Sequence, residues 1–387
     1  MSDHTQAGVV LRDLGNGLVM RRAAPSDADA LAEFNRFVHT GKDRPDELLA
    51  HWTRDLMSGR MPGFGPEDFT LVVDTKTGAI ASTLNLISQT WRYEEIEFTV
   101  GRIELVGTHP DYRRRGLVRA QMDAVHQWSR ERGEQVQAIT GIPWYYRQFG
   151  YDLALEHYGG RSGSKWHVPG IKAEEKEPYV VRPAAEADIP FLVRVYDRGM
   201  GRYLVSAKRT PDMWRFDLFH RHEKSARYLK YCVIEAAGGG PVGILVHAPT
   251  LWWPAASALV YELDEGVQWQ DVTPSVMRYL SRTAEEYAAR DKRESTGAIG
   301  FTLGTDHPVY DLYKWRLPQV HKPYAWYMRV ADVPAFLGHI RPVLERRLER
   351  SVLAGYTGDL HISFVGNGVK LAFQQGKVKD LSPWTPE

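Results

Sequence analysis

Between residues 25 and 38 the chain reads PSDADALAEFNRFV, and its apolar positions Leu31, Phe34 and Val38 fall on one face at helical spacing. Ser26 or Asp27 stands where that helix needs a cap. Ahead of it, NGLVMRRA (16–23) reads as a strand, and a second helix is predicted over 45–57. DFTLVVD (68–74) and AIASTLNLIS (79–88) read as strands joined by a TKTG hairpin turn, and EFTVGRIELVGTH (97–109) as one long strand. A helix is predicted over 114–132, closed by Gly133. VQAIT (136–140) follows as a strand, and WYYRQFGYDLAL (144–155) as a short helix leading into another strand. Helices follow strands throughout, which predicts an α/β chain with mixed α+β sheets.

The pattern then repeats. RRAAPSDADAL begins at Arg21 and RPAAEADIPFL at Arg182, 161 residues later, with arginine, an alanine pair, aspartate and leucine at similar offsets. After the second start come a helix, strands around 229–236, 242–248 and 257–263, a helix over 274–290 and a strand over 298–303. The reading is therefore two tandem copies of one unit, 1–170 and 178–324, joined by the charged linker GIKAEEKEP (170–178). From about Tyr324 the texture changes. VADVPAFLGHIRPVLERRLER (330–350) reads as one amphipathic helix, and GDLHISFVGNGVKLAFQQGKVKDL (358–381) as three short strands with turns at GNG (366–368) and QQG (374–376). Residues 325–387 are expected to form a third, short unit with a thin core.

Composition changes this picture little. The 387 residues are 43% hydrophobic and 25% charged, an ordinary globular balance. A formal net charge of +1 leaves no global basic field, so nucleic acid is not an expected partner. The single cysteine, Cys232, excludes an internal disulfide framework and a cysteine metal cluster. Histidines 109, 126, 157 and 167 show no paired ligand spacing, and no metal is expected. The opening MSDHTQAGVV lacks a signal-peptide pattern, and no apolar run approaches the ~20 residues of a membrane span, so a cytoplasmic protein without a membrane partner is expected.

Against that near-neutral background, HPDYRRRGLVRA (109–120) concentrates positive charge at one turn. A long strand runs into it, and the predicted helix begins at the arginines. The first amides of a helix have no internal partner and carry roughly half a positive charge through the helix dipole. Gly116 removes a side chain where a bulky anion could approach, and Arg113, Arg114 and Arg115 add charged forks. Together these suit a diphosphate. The alternative is a solvated basic turn that clamps nearby carboxylates.

At these residues the chain resembles a known family. VGTHPDYRRRGLVRA is similar to the acetyl-CoA motif of GCN5-related N-acetyltransferases (GNATs), in which a strand ending V-x-P-x-[YF] precedes Arg/Gln-x-x-Gly-x-Gly/Ala. WYYRQFGY (144–151) resembles the family's later F-Y-x-x-x-G-F element. Tandem units followed by a partial sterol-carrier-like unit resemble the enhanced-intracellular-survival (Eis-like) subfamily. The resemblance implies an acetyl-CoA-dependent N-acetyltransferase, with acetyl-CoA as co-substrate and a primary amine of a small molecule or a lysine as direct nucleophile. It also implies a homo-oligomer, a closed ring of hexamer type. By the same resemblance Val106, Gly107 and Thr108 offer strand backbone to the pantetheine arm. Arg114, Arg115, Gly116, Leu117, Val118 and Arg119 wrap the diphosphate, with Arg113 beside them, and Gly141 and Ile142 line the splayed gap. Val118 departs from the motif's Gly or Ala, which is tolerable if its amide faces the phosphate.

Tyr146 matches the family's tyrosine general acid; the alternative is a core tyrosine clustered with Trp144, Tyr145 and Phe149. The base is harder to assign. In the Eis-like subfamily the terminal carboxylate enters the active site, and the last residue here is Glu387, after a third unit of roughly half length. Glu104, on the long strand and sharing a face with Arg102 and Val106, is a candidate base or water-holder, or else a charge partner of Arg102 or Arg92. The second unit lacks this equipment: 161 residues after Arg113 stands Pro274, with no glycine and no arginine cluster, so one active site per chain is expected. The rival reading is a catalytically degenerate acyl-CoA sensor or scaffold.

Overall fold

A computed structural model describes residues 8–40, 46–252, 255–294, 297–364 and 368–386. Part of the GNG turn and Glu387 lie outside the described residues. The first elements are β1 (Val10–Gly15), β2 (Leu18–Arg22), α1 (Ala28–Val38), α2 (Glu47–Met57), β3 (Phe69–Asp74), β4 (Ile80–Tyr93), β5 (Ile96–Thr108), α3 (Leu117–Glu131), β6 (Val136–Ile139) and β7 (Asp152–His157). Asp46 caps α2 by accepting from the amides of Leu48 and Leu49. Next come β8 (Gly160–Gly163), β9 (Tyr179–Pro183), α4 (Ile189–Met200), β10 (Val205–Ala207), α5 (Pro211–Arg215), β11 (Lys230–Ala236), β12 (Pro241–His247), β13 (Ala255–Leu263), α6 (Trp269–Arg290) and β14 (Ala298–Phe301). The chain ends with α7 (Pro308–Tyr313), β15 (Gln319–His321), β16 (Tyr324–Val330), α8 (Val333–His339), α9 (Arg341–Glu349), β17 (Gly358–Ser363), β18 (Gly368–Gln374) and β19 (Lys377–Trp384).

The first sheet runs β1-β2-β3-β4-β5-β6-β16-β7, with β10 added to β4. The second runs β15-β8-β14-β13-β12-β11-β9, and β17-β18-β19 form the third. This is a mixed α/β fold. Each large sheet receives a strand from the other side of the sequence. β8 leaves the first unit to pair with β14, and β16 returns between β6 and β7. In the first sheet alternation along β4 sends Ile87 toward Leu31, Trp52 and Leu56 of α1 and α2. It sends Leu84 and Leu86 toward Met122, Val125 and Trp128 of α3.

The sequence repeat is realised atom by atom. Arg21 makes a two-pronged bond to Asp27 at 2.7 and 2.7 Å, and Arg182 does the same to Asp188 at 2.6 and 2.9 Å. Each aspartate also accepts the amide three residues before it, from Ala24 and from Ala185. Both sheets then pair a single parallel couple, β5 with β6 and β13 with β14.

Two helices depart from the sequence reading. The helix expected over 274–290 begins at Trp269, with Pro274 inside it. Proline has no amide for the carbonyl of Gln270, and the Tyr313 hydroxyl donates to that carbonyl instead at 2.9 Å. The single helix expected over 330–350 is two, α8 and α9. Pro342 opens α9, and the chain turns at Ile340, whose side chain is buried.

Candidate active site

β5 and β6 pair only from Val100–Arg102 to Val136–Ala138. β6 then stops at Ile139 while β5 continues to Thr108, still bonded to β4 on its other side. The two strands part, and the backbone edge of Val106, Gly107 and Thr108 borders the gap. Within this stretch the register slips: Gly107 faces Thr83, but Glu104 faces Asn85. The extra residue is a bulge at Leu105, whose φ is 52°. Its consequence corrects an expectation. Leu105 packs with Leu31, Trp52 and Leu56, and Glu104 reaches Arg227, whose guanidinium lies 4.6 Å from the Trp52 ring. Val106 packs with Met122 and Tyr146 on the opposite face. Glu104 and Val106 therefore do not share a face.

Gly107 lies under α1: a Cβ there would sit 2.6 Å from Val38 Cγ1. Its carbonyl accepts from the Ser82 hydroxyl at 2.8 Å, which also contacts the Thr108 hydroxyl at 2.9 Å. Across the gap, β16 holds the 141–144 loop. The Tyr324 hydroxyl donates to the Gly141 carbonyl at 2.8 Å, and the Tyr327 hydroxyl donates to the Ile142 carbonyl while accepting the Trp144 amide. Tyr146, 5% exposed, follows in a short 3-10 turn, Tyr145–Phe149. Its hydroxyl lies 3.6 Å from where a Cβ on Gly141 would stand. Among the described residues that hydroxyl makes no hydrogen bond. Burial, with Tyr145 and Glu104 adding to it, raises the Tyr146 pKa well above an ordinary phenol's.

The basic turn differs from its sequence reading in one respect. The helix begins at Leu117, not at the arginines, because Arg114 (φ 61°) and Gly116 (φ 74°) are left-handed. No side chain caps α3 and no acidic residue lies in its first turn. Arg113, Arg114, Arg115 and Arg119 are exposed. Arg113 reaches the Thr108 carbonyl at 3.4 Å, Arg115 the Asp111 carbonyl at 3.1 Å, and Arg119 the Gln148 side chain at 3.1 Å. Among the described residues none of the four is ion-paired, so the turn clamps no carboxylate of its own. Leu117 is buried with Leu18 and Met20, and Val118 packs against the Tyr146 cluster. A Cβ on Gly116 would meet nothing within 4 Å. Gly116→Ala is therefore expected to lose about 1 kcal/mol of stability through backbone strain alone. Urea denaturation checks this; an unchanged midpoint would contradict the left-handed backbone.

Glu104 is buried, and two guanidiniums hold it. Arg102 donates from Nε at 2.7 Å and from Nη2, and Arg227 approaches to 3.3 Å. Burial pushes its pKa up, but Arg102 and Arg227 outweigh burial and hold the carboxyl below the usual range. It stays ionised and is a poor proton acceptor. The charge-pair reading with Arg102 is the arrangement present. Behind this pair a cavity of ≈ 1060 Å³ opens between the two large sheets. Trp91, Arg102, His157 and Trp326 border it from the first sheet, Tyr203 and Glu262 from the other side. Among the described residues no group of three or more His, Cys, Asp or Glu side chains could hold a metal ion, and no helix is long and apolar enough to cross a membrane.

His126 and His157 are each pushed down to about 4, by burial first and by Arg329 and Arg102 respectively. Unfolded, both regain a value near ~6.5. Between about pH 6.5 and 4 the unfolded chain binds more protons, so stability falls as pH falls through that window. Thermal melts from pH 7.5 to 4.5 should show the decline, with a shallower slope in a His126→Gln/His157→Gln variant. Equal slopes would refute the assignment.

A strand pair that parts beside an uncapped helix start is the geometry the family resemblance implied. Residues 19–154 match the family model of an acetyltransferase (GNAT) domain. The matched segment holds the bulge, the arginine turn and Tyr146. The fold of nearly the whole chain is similar to that of a GCN5-related N-acetyltransferase from Kribbella flavida, with TM-score 0.61 and 15% identity over 96% of this chain and 84% of that one. A GCN5-related N-acetyltransferase from Anabaena variabilis gives TM-score 0.60 and 13% identity over 95% and 86%. A conserved protein of unknown function from Enterococcus faecalis V583, described as a probable N-acyltransferase, gives 0.59 and 9% over 96% and 86%. No curated protein matches the chain. Sequence reasoning missed Arg227, Tyr324 and Tyr327, which reach the matched segment from outside its span. The two tyrosines have one local signal, the strand-like run YAWYMRV, which spaces them three apart; Arg227 has none.

Proposed function

We propose that the chain is an acetyl-CoA-dependent N-acetyltransferase in which a primary amine attacks the thioester directly. The observation that carries this is the uncapped start of α3, with four arginines free of ion pairs among the described residues, at the mouth of the β5/β6 gap. Gly116 leaves open space there, and free helix amides with guanidinium forks suit a diphosphate. Residues 114–119, with Arg113 beside them, take the diphosphate. The edge of Val106 to Thr108 takes the pantetheine amides, and Gly141 and Ile142 form the facing wall. This puts the thioester near the Tyr146 hydroxyl, which among the described residues has no competing partner and which protonates the departing thiolate. The acceptor amine enters through the cavity behind Arg102. Glu104 shapes the field of the site as an ionised partner of Arg102 and Arg227. Residues 1–170 carry the reaction, 178–324 form a degenerate second unit that walls the cavity, and 325–387 are a third unit.

Calorimetry with acetyl-CoA, followed by thiol release with a panel of primary amines, tests this reading. One site per chain and amine-dependent thiol release are expected. Binding without release would leave the sensor reading standing, and two equivalent sites would overturn the assignment of one site to the first unit.

A further inference from the structure

Transfer from an amine needs a proton acceptor, since a primary amine is mostly protonated at neutral pH. Glu104 is held ionised by two arginines and accepts protons poorly. The same side of the gap carries another group. His39 follows the last residue of α1, with its Nδ1 3.1 Å from the Asn35 carbonyl. A carbonyl only accepts, so the neutral ring carries its proton on Nδ1 and a lone pair on Nε2. Among the described residues no hydrogen bond reaches Nε2. The ring lies against the face of β5 that α1 covers: its Cε1 is 3.5 Å from the point a Cβ on Gly107 would occupy. Asn35 is itself braced, its amide donating to the Thr53 hydroxyl at 3.1 Å.

We propose that His39 Nε2 is the general base that takes a proton from the acceptor amine. The inference rests on the acetyltransferase reading above. The charged groups facing the ring are Glu104 from β5 and Asp46 from the head of α2. Desolvation outweighs the bond to the Asn35 carbonyl and both carboxylates and lowers the His39 pKa, so the ring is neutral at pH 7. The residue is exposed to solvent, which gives the proton an exit. In the step itself an ammonium gives one proton to His39 Nε2, its nitrogen bonds to the thioester carbonyl carbon, and the carbon–sulfur bond breaks. The thiolate takes the Tyr146 proton, the second nitrogen-bound proton replaces it, and His39 returns its proton to solvent. Amide, free thiol and one released proton balance the step.

The test compares the wild-type chain with His39→Asn, which keeps a donor for the Asn35 carbonyl but has no lone pair at Nε2, and with His39→Gln as a second variant should the first not fold. With acetyl-CoA and lysine amide, kcat at pH 7 should fall ~100-fold while the KM for acetyl-CoA stays unchanged. The wild-type fall of kcat/KM on the acid side should disappear, and added imidazole should restore part of the rate. Independently of turnover, the NMR signal of His39 Cε1–H should report a neutral ring at pH 7 and shift when acetyl-CoA binds. An active wild type whose His39 variants keep both rate and acid limb would overturn this inference and leave the acetyltransferase reading intact. A His39 signal that acetyl-CoA binding does not move would also overturn it. A wild type that binds acetyl-CoA but acetylates none of the amine panel would overturn the acetyltransferase reading, and the inference with it.

Discussion

Tyr146→Phe is expected to lose ~100-fold or more in kcat, about 3 kcal/mol of transition-state stabilisation, while still binding acetyl-CoA. The ring should stay in place. It is packed edge-on against Tyr145 and Tyr327, at 5.1 and 5.6 Å between centroids, and phenylalanine keeps those contacts. The hydroxyl bonds to nothing among the described residues, so its removal orphans no partner and should leave thermal stability nearly unchanged. What is lost is a proton donor beside the departing sulfur. Burial raises this phenol above its ordinary ~10, so it remains protonated through the physiological range and yields its proton only as thiolate charge develops. No basic limb attributable to it should appear below about pH 10. Steady-state kinetics under conditions where chemistry limits the rate check the effect. Retention of most of the wild-type kcat, or a larger loss in Tyr145→Phe, would remove Tyr146 from the role.

Reversing charge in the turn should act on binding and not on folding. Arg113→Glu/Arg115→Glu is expected to weaken acetyl-CoA binding ~100-fold or more, since charge-assisted bonds to an anion contribute about 1.5–3 kcal/mol each. Neither arginine is ion-paired among the described residues; each donates to a backbone carbonyl, at 3.4 and 3.1 Å, and the Arg115 guanidinium lies 5.0 Å from the Tyr112 ring. Little native stability is therefore at stake. Wild-type binding should also weaken as salt screens the cluster, and the variant's should respond less. Calorimetry at two ionic strengths, with a thermal melt of each protein, separates the effects. Unchanged affinity in the variant would place the diphosphate elsewhere, and a collapse of Tm would mean that the turn is structural.

Much of the frame follows from local order along the chain. α1 shows its Leu31–Phe34–Val38 stripe, and TKTG turns β3 into β4. The pairs Arg21–Asp27 and Arg182–Asp188 are visible as a repeat because each bond spans only six residues. The arginine turn is legible for the same reason: helix starts, glycines and charge clusters depend on neighbours a few positions away. Tertiary structure alone decided the rest. The bulge at Leu105 carries no residue signature, because a leucine at positive φ is held there by the pairing of β5 with β4. That one slip parts Glu104 from Val106 and overrides strict alternation. Arg227 meets Glu104 from 123 residues away, and Tyr327 meets the Trp144 amide from 183. Strand edges and buried charges choose such partners by geometry and desolvation across the folded chain, and periodicity within a segment holds no record of that choice.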